Sequence, residues 1–263
     1  MTASYIRAGE GTPLVLLHGI GGAGRVWQPQ IEHFASRGYD VVAWNLPGYN
    51  GQAPITETDF ESLAQALEHL IAALSLDRPI LVGHSLGGMI VQTFLRRNPH
   101  GARALVLSGT SPAFGNPKGD FQKKFVADRL QPLEEGRTME EMAPEIVAQM
   151  VGPEADPQGV ALAVSCMGAT APETYRAMVL ALVRFDERAS LSEIAVPTLC
   201  LAGEKDGNAP AAMMEKMAAR IPGAAYECLP ATGHLAGVEK PALFNEALTR
   251  FFDAHDETKG TPS

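Results

Sequence analysis

Residues 79–97 read PILVGHSLGGMIVQTFLRR. An apolar run ending at Val82 meets Gly83, His84, Ser85, Leu86 and Gly87, and a helical pattern begins at once. This is G-x-S-x-G in the setting the motif requires, a strand turning sharply into a helix. The flanking glycines have a steric reason. The turn forces Ser85 into a strained backbone conformation, and a side chain two residues to either side collides with neighbouring elements. In return the hydroxyl is held out at the sheet's edge, near the positive end of a helix.

A serine alone is a weak nucleophile and needs a base, together with a group that orients the base. The stretch PTLCLAGEKDGNAP (197–210) puts Asp206 in the loop after a late strand, and LPATGHLAGVEKP (229–241) puts His234 in the loop after the last one. Ser, then Asp, then His is the α/β-hydrolase order and differs from those of chymotrypsin and subtilisin. Glu204, two residues before Asp206, is the competing acid; the G-x-x-D spacing selects Asp206. His18 and His84 also sit at strand ends and are the competing bases to His234.

Outward from this motif, strand-like runs recur at 14–18, 39–44, 79–84, 102–108, 197–203 and 224–230. They are nearly continuous apolar segments, as expected for parallel strands covered on both faces. Helical stripes lie between them. Thr58 and Glu61 form a capping-box pair ahead of Phe60, Leu63, Leu67 and Leu70, and Leu243, Phe244, Leu248 and Phe252 mark a last helix. The alternation implies a doubly wound, mostly parallel sheet. It lapses over about 113–188, where helical pieces begin at Thr138 with Glu141 and at Thr170 with Glu173. That segment reads as a helical lid on a core formed by 1–112 and 189–255, with a frayed tail at 256–263.

The glycines from Gly19 to Gly24 fit G-x-G-x-x-G, the turn that wraps a dinucleotide pyrophosphate. That reading needs an Asp or Glu at the end of the second strand to hold the ribose, and the run YDVVAW ends at Asn45. The triad loops also have no role in a dinucleotide fold. Gly21, Gly22 and Gly24 instead read as small residues that keep the backbone open around Ser85.

The 263 residues carry a net charge of −9, against a nucleic-acid-binding surface. No apolar run approaches the roughly 20 residues that span a bilayer, and the start lacks a signal-peptide core. Cys166, Cys200 and Cys228 form no C-x-x-C pair; buried free thiols suit a reducing, cytoplasmic compartment. No metal site is expected. Lys118, Lys123 and Lys124 read as a solvated face.

The chain resembles the α/β-hydrolase superfamily at His18-Gly19, Asn45-Leu46-Pro47-Gly48, Gly83 to Gly88, Gly203 to Asp206 and Gly233-His234. Within it the chain is similar to the capped ester and enol-lactone hydrolases, the 3-oxoadipate enol-lactonase group among them. The resemblance implies an α/β-hydrolase fold with the lid inserted after the sixth strand. It also implies an oxyanion hole from the N–H groups of Ile20 and Leu86, no cofactor, and a small-molecule ester or lactone as substrate. The same triad serves C–C bond hydrolases and cofactor-free perhydrolases, and a triad-retaining ligand receptor is a reading from another class. Around Ser85, Gly19, Trp27, Met139, Met142, Met150, Met167 and Met178 are the pocket candidates, the methionines as adaptable apolar lining.

Overall fold

A computed structural model describes residues 4–116 and 118–255; the expected tail lies outside them. Seven strands form one sheet: β1 (Ser4–Ala8), β2 (Thr12–Leu17), β3 (Tyr39–Asn45), β4 (Ile80–His84), β5 (Ala104–Ser108), β6 (Thr198–Gly203) and β7 (Ala225–Leu229). In space they run β1-β3-β2-β4-β5-β6-β7, with β1 antiparallel to β3 and every other pair parallel. The six apolar runs become β2 to β7. The edge strand β1 was not among them.

The central strands are apolar on both faces because both faces are covered. Along β2, Leu14 and Leu16 pack with α1 (Gln28–Ala35) and α10 (Pro241–Ala254), through Ile31, Phe34, Phe244 and Leu248. Val15 and Leu17 point the other way, to α2 (Phe60–Ala73), α3 (Leu86–Arg97) and α8 (Ala211–Ala218). Each fully buried Leu, Val or Phe stabilises this arrangement by about 1.5–3 kcal/mol. The expected Thr58 cap is corrected to Asp59: α2 starts at Phe60, so it is Asp59 whose carboxylate reaches the Ser62 N–H, at 2.7 Å.

Between β5 and β6 the chain leaves the sheet and forms α4 (Asp120–Glu134), α5 (Met139–Ala148), α6 (Pro157–Gly168) and α7 (Pro172–Leu182). The insertion therefore follows the fifth strand rather than a sixth, since only β1 precedes β2 among the described residues. Its base is pinched by a bridge between Ala113 and Asp186 and by the Glu187 N–H donating to Pro112 O at 2.8 Å. The Thr138–Glu141 capping box forms. The Thr170–Glu173 one does not, because Thr170 Oγ1 turns back to Cys166 O and α7 opens on Pro172 behind Ala171.

From β2 the chain first adds β3 on one side and then β4 on the other. The reversal opens a crevice at the C-terminal ends of β2 and β4. Gly19 follows the first of these strands and Ser85 the second. No helix among the described residues is long and apolar enough to cross a membrane.

Candidate active site

Ser85 sits between β4 and α3 at φ 51°, ψ −115°. Such a conformation costs a non-glycine residue of order 1–3 kcal/mol, and the surroundings must hold it. Here they do: the Ser85 N–H donates to Ser108 O at 2.9 Å, and Thr110 Oγ1 donates to Ser85 O at 2.7 Å. A Cβ at Gly83 would lie 2.6 Å from Gly87 O, and one at Gly87 would lie 2.4 Å from Leu17 O. Neither position admits a side chain. Leu86 is the first residue of α3, so its N–H has no acceptor within the helix.

The loop after β2 lies directly against this turn; a Cβ on Gly19 would be 3.2 Å from Ser85 Cβ. Its shape is set by His18, which donates from Nδ1 to Gly19 O at 2.8 Å and accepts the Leu46 N–H on Nε2 at 3.1 Å. Those two bonds require the neutral imidazole, and burial pushes its pKa down to about 4. The Gly22 N–H also donates to Gly19 O, at 3.0 Å. A trans peptide points its carbonyl and N–H in opposite directions, so pinning Gly19 O fixes the direction of the Ile20 N–H. Tyr49, 1% exposed, donates its hydroxyl to Ile20 O at 2.6 Å, and burial drives that phenol's pKa up. Asn45, at the strand end where a dinucleotide fold would carry an acid, accepts the Gly24 N–H at 2.7 Å and ties the glycine loop to β3.

Asp206 and His234 come from the loops after β6 and β7. His234 Nδ1 donates to Asp206 Oδ2 at 2.8 Å, and Asp206 Oδ1 accepts the N–H groups of Asn208 and Ala209 at 2.7 and 2.8 Å. Burial alone would raise the Asp206 carboxyl, but the His234 bond and charge and those backbone donors outweigh it and hold its pKa below the ordinary value. The neighbouring acid Glu204 is turned away, accepting the Ala231 N–H at 2.8 Å. His84 donates from Nε2 to His234 O at 2.8 Å; burial and then the His234 charge push its imidazole down to about 3. Both His18 and His84 thus carry structural bonds as neutral rings.

The His234 loop is stitched to the insertion. His234 N–H donates to Met150 O at 2.6 Å, and a Cβ on Gly233 would lie 2.3 Å from the same oxygen. Glu239 of α9 (Ala236–Glu239) holds the junction: its carboxylate accepts N–H bonds from Gly152 at 2.6 Å, Gly233 at 2.8 Å and Leu235 at 2.6 Å. It is 1% exposed and has no ion-pair partner among the described residues. Nothing in the sequence marked Glu239, because three converging backbone amides leave no local pattern.

Ser85 and His234 open on one cavity of about 420 Å³ between the sheet and the insertion. Of the pocket candidates, Gly19, Met150 and Met167 line it. Trp27, Met139, Met142 and Met178 do not. Trp27 packs on Phe244 with ring centroids 6.1 Å apart, Met139 and Met142 fill the insertion's own core, and Met178 packs into the core on the α2 and α3 side. Met89 of α3, Met213 of α8 and Arg129 of α4 line the cavity and were not singled out. Phe121, Phe125 and Arg129 recur at every fourth residue, a stripe that was the available signal. Lys118, Lys123 and Lys124 are exposed, the last paired with Asp128 at 2.7 Å. Among the described residues no group of three or more His, Cys, Asp and Glu is placed to hold a metal ion.

The arrangement provides a strained serine at a helix N-terminus, with the unpaired Leu86 N–H next to it, and an imidazole held by a buried carboxylate, serine and imidazole opening on one cavity. Proton transfer and oxyanion binding call for groups of these kinds. The family model described as alpha/beta hydrolase fold matches residues 12–241. The chain is 30% identical, over 95% of each sequence, to a pimeloyl-[acyl-carrier protein] methyl ester esterase of Aliivibrio salmonicida (strain LFI1238). Its structure is similar to a hydrolase from Pseudomonas aeruginosa PA01, with a TM-score of 0.85, 28% identity, and 95% and 94% of the two chains covered. An enol-lactonase from Burkholderia xenovorans LB400 shares the fold, with a TM-score of 0.86, 23% identity, and 95% and 96% covered.

Proposed function

The chain belongs to the alpha/beta hydrolase fold family, and we propose that it is a serine hydrolase that cleaves a small carboxylic ester or lactone through an acyl-enzyme. One observation carries this reading. The strained Ser85 and the Asp206–His234 pair, from three different strand ends, meet at a single apolar cavity.

His234 Nε2 takes the proton as Ser85 Oγ attacks the carbonyl carbon. Asp206, bonded to Nδ1, fixes the tautomer and stabilises the imidazolium. The N–H groups of Ile20 and Leu86 receive the tetrahedral oxyanion, each worth about 3 kcal/mol in comparable sites. The protonated His234 then donates to the departing alcohol, and water repeats the sequence to release the acid. The helices of 113–188 act as the lid, enclosing the acyl chain against Met150 and Met167. The relative from Aliivibrio salmonicida, an esterase by name, supports ester chemistry on this framework. Free thiols at Cys166, Cys200 and Cys228, the last exposed rather than buried, suit a cytoplasmic setting.

The test is turnover of p-nitrophenyl acetate, butyrate and octanoate by the wild type and Ser85→Ala. Serine-dependent turnover is expected, with a loss of roughly 10⁴-fold or more in kcat for the variant. A variant that keeps a tenth of the activity removes Ser85 from the mechanism.

A further inference from the structure

The cavity wall is mostly apolar; apart from Ser85, His84 and His234, its polar side chains are Thr110, Ser111, Tyr175, Asn208 and Arg129. Among the described residues Arg129 is the only arginine or lysine in the lining, and no aspartate or glutamate lines it. Two arginines of the neighbouring helices, Arg137 and Arg176, are neutralised by Glu145 and Glu134, both at 2.9 Å. Arg129 has no carboxylate partner among the described residues. On α4 the positions one turn away, Phe125 and Leu133, carry no charge, whereas Lys124 has Asp128 at that spacing. The guanidinium lies 5.4 Å from the centre of the Phe125 ring, and Tyr175, buried at 1% exposure, faces the same cavity.

We propose that Arg129 is a specificity determinant that binds a carboxylate at the far end of the substrate, so that the substrate is an ester or lactone carrying a free carboxylate on an apolar spacer. The proposal rests on the serine-hydrolase reading and goes beyond it in naming the substrate class. Arg129 is half-buried, so its guanidinium keeps only part of the solvation it has in water, and a carboxylate restores the rest with two parallel N–H···O bonds. Arginine's planar fork matches that geometry where lysine's point charge does not. The rest of the lining argues for a monoanion. A phosphate ester would call for several further donors around its oxygens, and beyond Arg129 the nearby wall offers Tyr175 among Phe114, Phe121 and Phe125. In a protein of net charge −9, a lone cation inside an acid-free cavity also selects for anions at the point where the surface does not.

The experiment compares monomethyl esters of the linear dicarboxylic acids from succinate to suberate with methyl hexanoate, following acid release by pH-stat. One half-ester length is expected to be preferred over methyl hexanoate in the wild type. In Arg129→Met the ratio of kcat/KM for that half-ester to kcat/KM for methyl hexanoate should fall at least about tenfold, through KM of the half-ester. Arg129→Lys should recover part of the ratio and not all of it. An unchanged ratio, or a wild type with no preference for any half-ester, overturns the proposal while Ser85-dependent turnover of methyl hexanoate leaves the hydrolase reading standing. If Ser85→Ala matches the wild type, or if no ester is turned over, the hydrolase reading fails, and calorimetric binding of adipate decides on Arg129 alone. Millimolar binding to the wild type that is lost in Arg129→Met supports the carboxylate site, and binding that is absent or unaffected by the change overturns it.

Discussion

His234 Nδ1 lies 2.8 Å from Asp206 Oδ2, and the other carboxylate oxygen is held by the N–H groups of Asn208 and Ala209. The carboxylate therefore cannot swing away from the ring. Asp206→Asn keeps the shape but offers an N–H where the ring needs an acceptor, which favours the wrong imidazole tautomer. We expect kcat on p-nitrophenyl butyrate to drop roughly 10³- to 10⁴-fold with an unchanged circular dichroism spectrum. A loss below tenfold removes Asp206 from the relay.

Tyr49 holds Ile20 O at 2.6 Å from a fully buried position. Tyr49→Phe leaves that carbonyl without its donor, so stability should fall by about 1–2 kcal/mol in urea unfolding. Because the loop carries the Ile20 N–H, kcat should fall more than KM rises. A variant changed only in stability would show that the hydroxyl does not tune the oxyanion donors.

Glu239 joins Gly152 of the insertion to Gly233 and Leu235 on either side of His234. Glu239→Gln substitutes an amide with one acceptor oxygen for a carboxylate with two, leaving at least one buried N–H unpaired. The expected cost is about 1–3 kcal/mol. Hydrogen exchange should rise at Gly152, Gly233 and Leu235 before it rises in the sheet; uniform exchange would contradict a local role.

His18 and His84 are held neutral, with pKa values lowered by burial to about 4 and about 3. Unfolded, each titrates near 6.5, so below that pH the unfolded chain binds more protons than the folded one and stability falls with pH. Between pH 6.5 and 5 the loss should be about 2 kcal/mol for each ring, and it continues toward their folded values. Asp206, held below its ordinary pKa, acts in the same direction at lower pH, where it protonates. Urea midpoints from pH 7.5 to 5 measure this, and His84→Gln should give a shallower decline. A flat wild-type profile would refute the burial argument.

Most of the framework was legible because it follows from local physics. A strand that must turn at Ser85 needs Gly83 and Gly87, and parallel strands covered on both faces must be continuously apolar. The strand β1 escaped because its five residues, SYIRA, alternate in burial at a sheet edge, and its place is fixed only by pairing with β3. The cap of α2 was misplaced by one residue because Thr58 and Asp59 are both good caps and only the backbone decides between them. For the methionines, helical spacing locates a buried face but does not say whether it meets another helix, as at Met139 and Met142, or the cavity, as at Met150. Glu239 and Tyr49 act on backbone atoms, Glu239 joining Gly152 of the insertion to its own loop and Tyr49 reaching back to Ile20, and backbone partners leave no trace in side-chain spacing.

The proposed reaction requires a covalent acyl group on Ser85. Rapid quenching of the wild type with p-nitrophenyl butyrate, followed by peptide mass spectrometry, detects it. A butyryl group on the peptide containing Ser85, absent from Ser85→Ala and disappearing as substrate is exhausted, is the predicted result. Turnover with no adduct at Ser85, or an adduct on another residue that forms and clears at the rate of turnover, would contradict it.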